Sequence, residues 1–252
     1  MQYENLFWTS LEKIVEKKTL LIPVGSVEQH GLNLPFGVDS FIADSICQQI
    51  SKTLDAVVAP VLSYGARSLP NSGGGDYFPG TIPIRGSVLI GCYEDIIYGY
   101  IKAGFNKIII INAHWENEAF LQEAVECLKN KGCFKKCKIL LMSWWSILDD
   151  QEVYSIIPQF AGWQFEHAGR AETAIMLHYH PDLVGKDENY NSRDLTIKTN
   201  IYTYPIDKQI QNNHGSLSAS GPVTVEMGTQ LAECVEKNLC AFIRRFLEDV
   251  DT

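Results

Sequence analysis

The chain has 252 residues, of which 46% are hydrophobic, enough for one large core, so a single domain over 1–252 is expected. A formal net charge of -9, with Lys135, Lys136 and Lys138 as the densest basic cluster, repels phosphate backbones and argues against a nucleic-acid partner. No apolar run approaches the roughly 20 residues of a membrane span, and MQYENLFWTSLEKIVEKK carries charges where a signal peptide needs its apolar centre, so a cytosolic protein with no membrane partner is expected.

The first apolar run, TLLIPV (19–24), reads as a buried strand, and VGSVEQHG follows it at once. On extended backbone Glu28 and His30, two residues apart, point the same way and can share a target. Asp39-Ser40 then reads as an N-cap signal for a helix carrying Ile42, Ile46 and Ile50. AVVAPV (56–61) is the second strand. The glycine run Ser72-Gly73-Gly74-Gly75-Asp76 lacks the Gly-Lys-Ser/Thr of a phosphate loop, so its glycines are expected to let backbone approach a substrate.

Leu89, Tyr93, Ile96 and Tyr100 mark the next helix, KIIIIN (107–112) the third strand, Leu121, Val125 and Leu128 another helix, and KILLMSW (138–144) the fourth strand. None of the four runs alternates strictly, as expected of strands buried on both faces. Strands alternating with helices predict an α/β fold, a mainly parallel sheet with helices on both faces. Further on, GWQFEHAG (162–169) leads into a helix that begins near Arg170 and carries Glu172. The polar stretch from Gly185 to Gly221 predicts an excursion packed on the sheet or on a neighbouring subunit, and Leu231, Val235, Leu239, Phe242 and Phe246 form one face of a last helix. The seven cysteines, odd in number, read as free thiols, including the C-x3-C pair Cys133 and Cys137.

Open parallel sheets bind ligands beyond the carboxyl ends of their strands. There the first strand offers Glu28-x-His30 and then Asp39, and the third offers His114-Trp115-Glu116, the same pair in reversed order. Two imidazoles and three carboxylates are too many for one open zinc site but suit two metals bridged by one carboxylate, with Asp39 the natural bridge. Three carboxylates and one hydroxide balance two divalent ions, and the absence of thiolate points to zinc, manganese or iron. Singly, His30 and His114 read more often as hydrogen-bonded structural histidines and Asp39 as a helix cap; the mirrored pairs favour ligation. His167 is either a proton-transfer group or a histidine that starts a helix. Trp144, Trp145 and Trp163 either fill core or wall a small planar ligand.

VGSVEQHG with Asp39, SGGGDYFPGT, NAHWEN and EHAGRAETAIML together resemble the creatininase (creatinine amidohydrolase) family, in order from about Thr19 to Val184. The resemblance implies an α/β fold, two divalent ions, usually zinc with manganese able to occupy one site, and a homohexamer acting on a small amide. It implies that Glu28 and His114 hold one ion, His30 and Glu116 the other, and that Asp39 bridges them. It further implies that His167 and Glu116 carry the catalysis, and that Ser72, Gly73, Trp115, Trp145, Trp163 and Gln164 surround the substrate. Trp115 stands where creatinine-hydrolysing members have tyrosine, and Gln164 where they have aspartate. The activity expected is reversible opening of the creatinine ring amide to creatine. Hydrolysis of another amide, such as a formamide, lactam or peptide, and a non-catalytic metal-binding assembly role are the alternatives.

Overall fold

Leu20–Val24 (β1), Val57–Val58 (β2), Lys107–Asn112 (β3) and Lys138–Ser143 (β4) pair in the order β2-β1-β3-β4, all parallel, in a computed structural model that describes residues 1–73, 75–185, 192–198 and 200–248. The second run gives the shortest strand because Pro60 has no N–H to donate to a ladder; an isolated bridge from Val24 to Leu62 resumes the pairing beyond it. The helices are Trp8–Val15 (α1), Val38–Leu54 (α2), Gly86–Ala103 (α3), Asn117–Asn130 (α4), Asp150–Ile156 (α5), Arg170–Tyr179 (α6), Lys208–Asn212 (α7) and Val225–Glu248 (α8).

Alternate strand residues feed two cores. Leu21, Val58, Ile109 and Ile111 pack with Ile42, Ile46 and Ile50 of α2, Ile175 of α6 and Leu231, Val235 and Leu239 of α8. Leu20, Ile22, Ile108 and Ile110 pack on the other face with Leu89, Tyr93 and Ile97 of α3 and Leu121 and Leu128 of α4. The expected three layers are present. Two helix faces are turned by one residue from the sequence reading: Ile97 rather than Ile96 is fully buried, and Ile243 rather than Phe242. In both, adjacent apolar residues offer alternative seams, and packing against the neighbouring elements decides which is used.

The described residues of the excursion build a core of their own. Leu195, Ile206, Ile210 and Leu217 form it with Phe78 and Phe165 packed against it, and Leu217 is tied through its N–H to the His167 carbonyl. It therefore borders the carboxyl end of the sheet. Gly74 of the glycine run, and residues 186–191 and Thr199 of the excursion, lie outside the described residues.

Candidate active site

The loops after β1, β2 and β3 are tied into one frame by two asparagines. Asn117 donates to the Gly25 carbonyl at 3.0 Å and accepts from Ala66 N–H at 2.8 Å, joining three chain segments. Asn112, the last residue of β3, donates to the His114 carbonyl at 2.7 Å and accepts its N–H at 3.2 Å, fixing the turn that carries His114. Gly25 lets the start of α2 approach β1: a Cβ there would lie 2.6 Å from Ser40 Cα. That closeness brings Asp39 to the site. Gly37, not Asp39, is the N-cap of α2, so Asp39 is not a helix cap but a buried first-turn residue whose carboxylate faces two histidines.

His30 Nε2 lies 3.1 Å from Asp39 Oδ1, and His114 Nδ1 lies 3.2 Å from Asp39 Oδ2 and 3.0 Å from Glu28 Oε2. One aspartate thus turns one oxygen to each imidazole. The other ring nitrogens are held by backbone: His30 Nδ1–H donates to the Glu28 carbonyl at 3.0 Å, and His114 Nε2–H to the Ala66 carbonyl at 3.1 Å. Once the inward proton leaves, each ring presents a lone pair to the side of the carboxylates, the usual orientation of ligating histidines.

The described residues form three buried groups whose donor atoms lie within 4.8 Å of one another: Glu28, Asp39 and His114; His30, Asp39 and Glu172; and Glu28, His30 and His167. Asp39 is common to the first two. His30 Nε2 and Asp39 Oδ2 are buried without a properly aligned hydrogen-bond partner, although each has an oppositely charged neighbour in reach. Divalent ions suit these orphaned atoms, the inward lone pairs and the thiolate-free donor set.

Glu116 is in none of these groups. It lies on the far side of His114, 3.5 Å from Nε2, where it accepts from Leu69 N–H at 3.0 Å and from the Ser72 hydroxyl. The carboxylate that approaches His30 Nε2 instead is Glu172, at 3.9 Å, in the first turn of α6 and oriented by Ala168 N–H at 2.7 Å. Sequence reasoning placed Glu172 on its helix but gave it no role. Its signal was a carboxylate in the helix turn leading into the apolar run Ala174–Leu177, where a charge is not expected without a partner.

Burial depresses the charged form of every group here, and the balance differs by residue. His30 would be pushed down by burial, but Asp39, Glu172 and Glu28 outweigh it and raise it to about 10. Burial raises Glu172 to about 8 against the opposing pull of His30. His167 has no such excess of carboxylates; burial lowers it to about 4 although Glu28 opposes, leaving a neutral imidazole. Its Nε2 lies 2.9 Å from the Gln29 carbonyl and 3.0 Å from the Gln29 side-chain amide nitrogen. An acceptor and a donor flank the same nitrogen, so it has a partner with or without its hydrogen. Gln29 is a second residue that the sequence did not reveal.

A cavity of about 350 Å³ opens over this cluster, lined by Asp39, His114, Glu116, Glu172 and His167 below and by indoles above. Trp115 and Trp145 stack with their rings 6° from parallel, and Trp145 and Trp163 at 29°, while Trp144 is buried edge-on to both Trp145 and Trp163. Ser72 and Gln164 also line it; so do Asn200 and Tyr202 of the excursion. Gly73 does not. It stands behind His167, where its carbonyl accepts from Gln29 Nε2 at 2.6 Å and a Cβ would meet the imidazole.

The family profile described as creatinine amidohydrolase matches residues 4–243. The chain belongs to the creatininase family. It is 32% identical over 231 residues to creatinine amidohydrolase of Pseudomonas putida, covering 89% of this chain and 88% of that one. It is 32% identical over 178 residues to a mycofactocin precursor peptide peptidase of Mycolicibacterium smegmatis, of which it spans 61%, and 26% identical over 179 residues to a 3-dehydro-scyllo-inosose hydrolase of Thermotoga maritima, of which it spans 55%. The fold superposes on a creatininase variant complexed with creatine at a TM-score of 0.90, with 30% identity and 97% of each chain covered. Creatininase structures of Zn-Zn type and with Mn match equally, at TM-scores of 0.90. The chain is thus a hydrolase of the creatininase family. Among the described residues no helix is long and apolar enough to cross a membrane.

Proposed function

We propose that the protein is a binuclear metal-dependent amidohydrolase that opens the ring amide of creatinine, reversibly, to creatine. The observation that carries this reading is the cavity: about 350 Å³, with parallel indoles set over a carboxylate and imidazole cluster, dimensions that suit a small flat ring better than an extended peptide. The Pseudomonas relative and the creatine-bound creatininase support the same substrate.

Glu28, Asp39 and His114 would hold one ion and His30, Asp39 and Glu172 the other, with zinc or manganese favoured by the related structures. Glu172 takes the place that the resemblance gave to Glu116. When bound, a pair of divalent ions supplies Lewis acidity, lowering the pKa of water and polarising a carbonyl. His167, neutral and flanked by both partners on Gln29, takes a proton from the attacking water and returns it to the ring nitrogen as the C–N bond breaks. Glu116 orients His114 from outside the ligand set and borders the substrate. The indoles hold the ring and restrict water. The proposal extends, through the family, to a cytosolic homohexamer, which sedimentation will test.

The test is turnover of creatinine, creatine, formylated amines, small lactams and a short peptide by metal-loaded protein. Creatinine is expected to lead. Turnover of another amide with none of creatinine overturns the substrate and keeps the hydrolase, and the cavity residue that favours that outcome is Gln164, an amide where creatinine-hydrolysing members carry an acid.

A further inference from the structure

Glu166 is a cavity carboxylate that neither the proposed metal sites nor the proton transfer uses. It is half-buried in the cavity wall beside Gln164 and His167. Its Oε1 accepts two backbone hydrogens at the start of α6, from Ala171 at 2.8 Å and Glu172 at 3.0 Å. Its Oε2 is buried and has no hydrogen-bond partner. The oxygens of the other cavity carboxylates each face a histidine or a backbone amide: Asp39 faces His30 and His114, Glu116 faces Leu69 N–H and His114, and Glu172 faces Ala168 N–H and His30. Arg170, the nearest cation in sequence, turns Nη1 to Asp194 at 2.8 Å and hydrogen-bonds Glu166 through none of its nitrogens. A buried carboxylate oxygen without a donor is costly unless a ligand supplies one.

Two buried donors of the same wall are also without partners, the indole Nε1 atoms of Trp144 and Trp163. The wall therefore lacks both a donor for a carboxylate and an acceptor for an indole. A ligand that presents N–H groups on one edge and an acceptor on another satisfies both.

We propose that Glu166 Oε2 is the substrate-recognition group of this site, accepting a charge-assisted hydrogen bond from the exocyclic N–H of an amidine or guanidine-type substrate, and so supplying the acid that position 164 lacks. This rests on the creatinine reading for the reaction but not for the recognition, since guanidinium binding is measurable without turnover. Charged recognition by a buried carboxylate distinguishes a guanidinium from its neutral urea isostere, which has the same shape and a carbonyl in place of one N–H₂.

The experiment is calorimetric binding of methylguanidinium and of methylurea to metal-loaded wild type and Glu166→Gln. Wild type should prefer methylguanidinium by about tenfold to hundredfold, the range expected of one hydrogen bond to a charged group. Glu166→Gln retains a carbonyl oxygen for the Ala171 and Glu172 N–H groups, so it should keep its metal content and fold while losing most of that preference. The creatinine Michaelis constant should rise with little change in turnover number, a split that loss of a merely structural cap would not give. Equal binding of the two isosteres by wild type overturns the proposal, as does an undiminished preference in the variant. The wild-type comparison stands alone if the variant does not fold. Preference without creatinine turnover overturns the reaction and keeps the recognition group; turnover without preference does the reverse.

Discussion

Gly73→Ala is expected to disable the enzyme without touching a metal ligand. At Gly73 φ is +105°, a conformation that an L side chain adopts at a cost of about 1–3 kcal/mol. The added Cβ would lie 2.6 Å from His167 Nε2 and 2.7 Å from Cδ2, whereas ordinary contact begins at 3.4 Å, so the ring must retreat by about 0.8 Å. Nothing behind Gly73 relieves this, because its carbonyl is held by Gln29. Displacement disturbs the 2.9 Å contact with the Gln29 carbonyl and misplaces the proton-transfer nitrogen. Misplacement on this scale costs on the order of 10²-fold in rate. Turnover, metal content by mass spectrometry and thermal melting should be compared with Gly91→Ala, whose Cβ meets nothing within 4 Å and which serves as control. The expected result is turnover lowered by roughly 10²-fold with metal content kept. Full activity, or a loss in proportion to lost metal, would refute the reasoning.

Three further outcomes follow from the same geometry. His167→Ala should retain its metal and slow turnover by roughly 10²- to 10⁴-fold, and unchanged activity would return His167 to a structural role. Gln164→Asp should improve kcat/KM for creatinine by about tenfold, the worth of one charge-assisted hydrogen bond, and no change would place position 164 away from the ring's N–H groups. Metal uptake should release protons and weaken as pH falls. His30, raised to about 10, and Glu172, raised to about 8, are both protonated at pH 7 in the metal-free chain, and an ion must displace those protons. Calorimetry in buffers of different ionisation heat measures the release, and a pH-independent affinity would contradict it.

The sheet was legible because its strands are buried on both faces and read as unbroken aliphatic runs; KIIIIN is β3 residue for residue. Pro60 was visible too, but its effect on strand length depends on which neighbour needs the missing N–H. The mirrored motifs pointed to Glu28, His30 and His114 because these lie just beyond strands, and Asp39 was singled out at the mouth of the next helix. Glu172 was hidden because it reaches the site from the side, on a helix, with no mirrored partner in the chain. Glu116 is the opposite case, near a strand in sequence but outside the three donor groups. Its spacing from His114 copies Glu28 and His30, but the turn held by Asn112 and Asn117 leaves Glu116 at Nε2 of His114, whereas Glu28 and Asp39 meet Nδ1. Local spacing specifies which residues are near one another; it does not specify which nitrogen each one meets.

Metal stoichiometry in two isosteric variants tests the site most directly. After loading with zinc or manganese and removal of free ion, wild type should hold about two ions per chain, Glu172→Gln about one, and Glu116→Gln about two, because a neutral amide is a poor ligand and only Glu172 stands with His30 and Asp39. Wild type near zero, or Glu116→Gln losing an ion while Glu172→Gln keeps both, would contradict the binuclear centre as assigned.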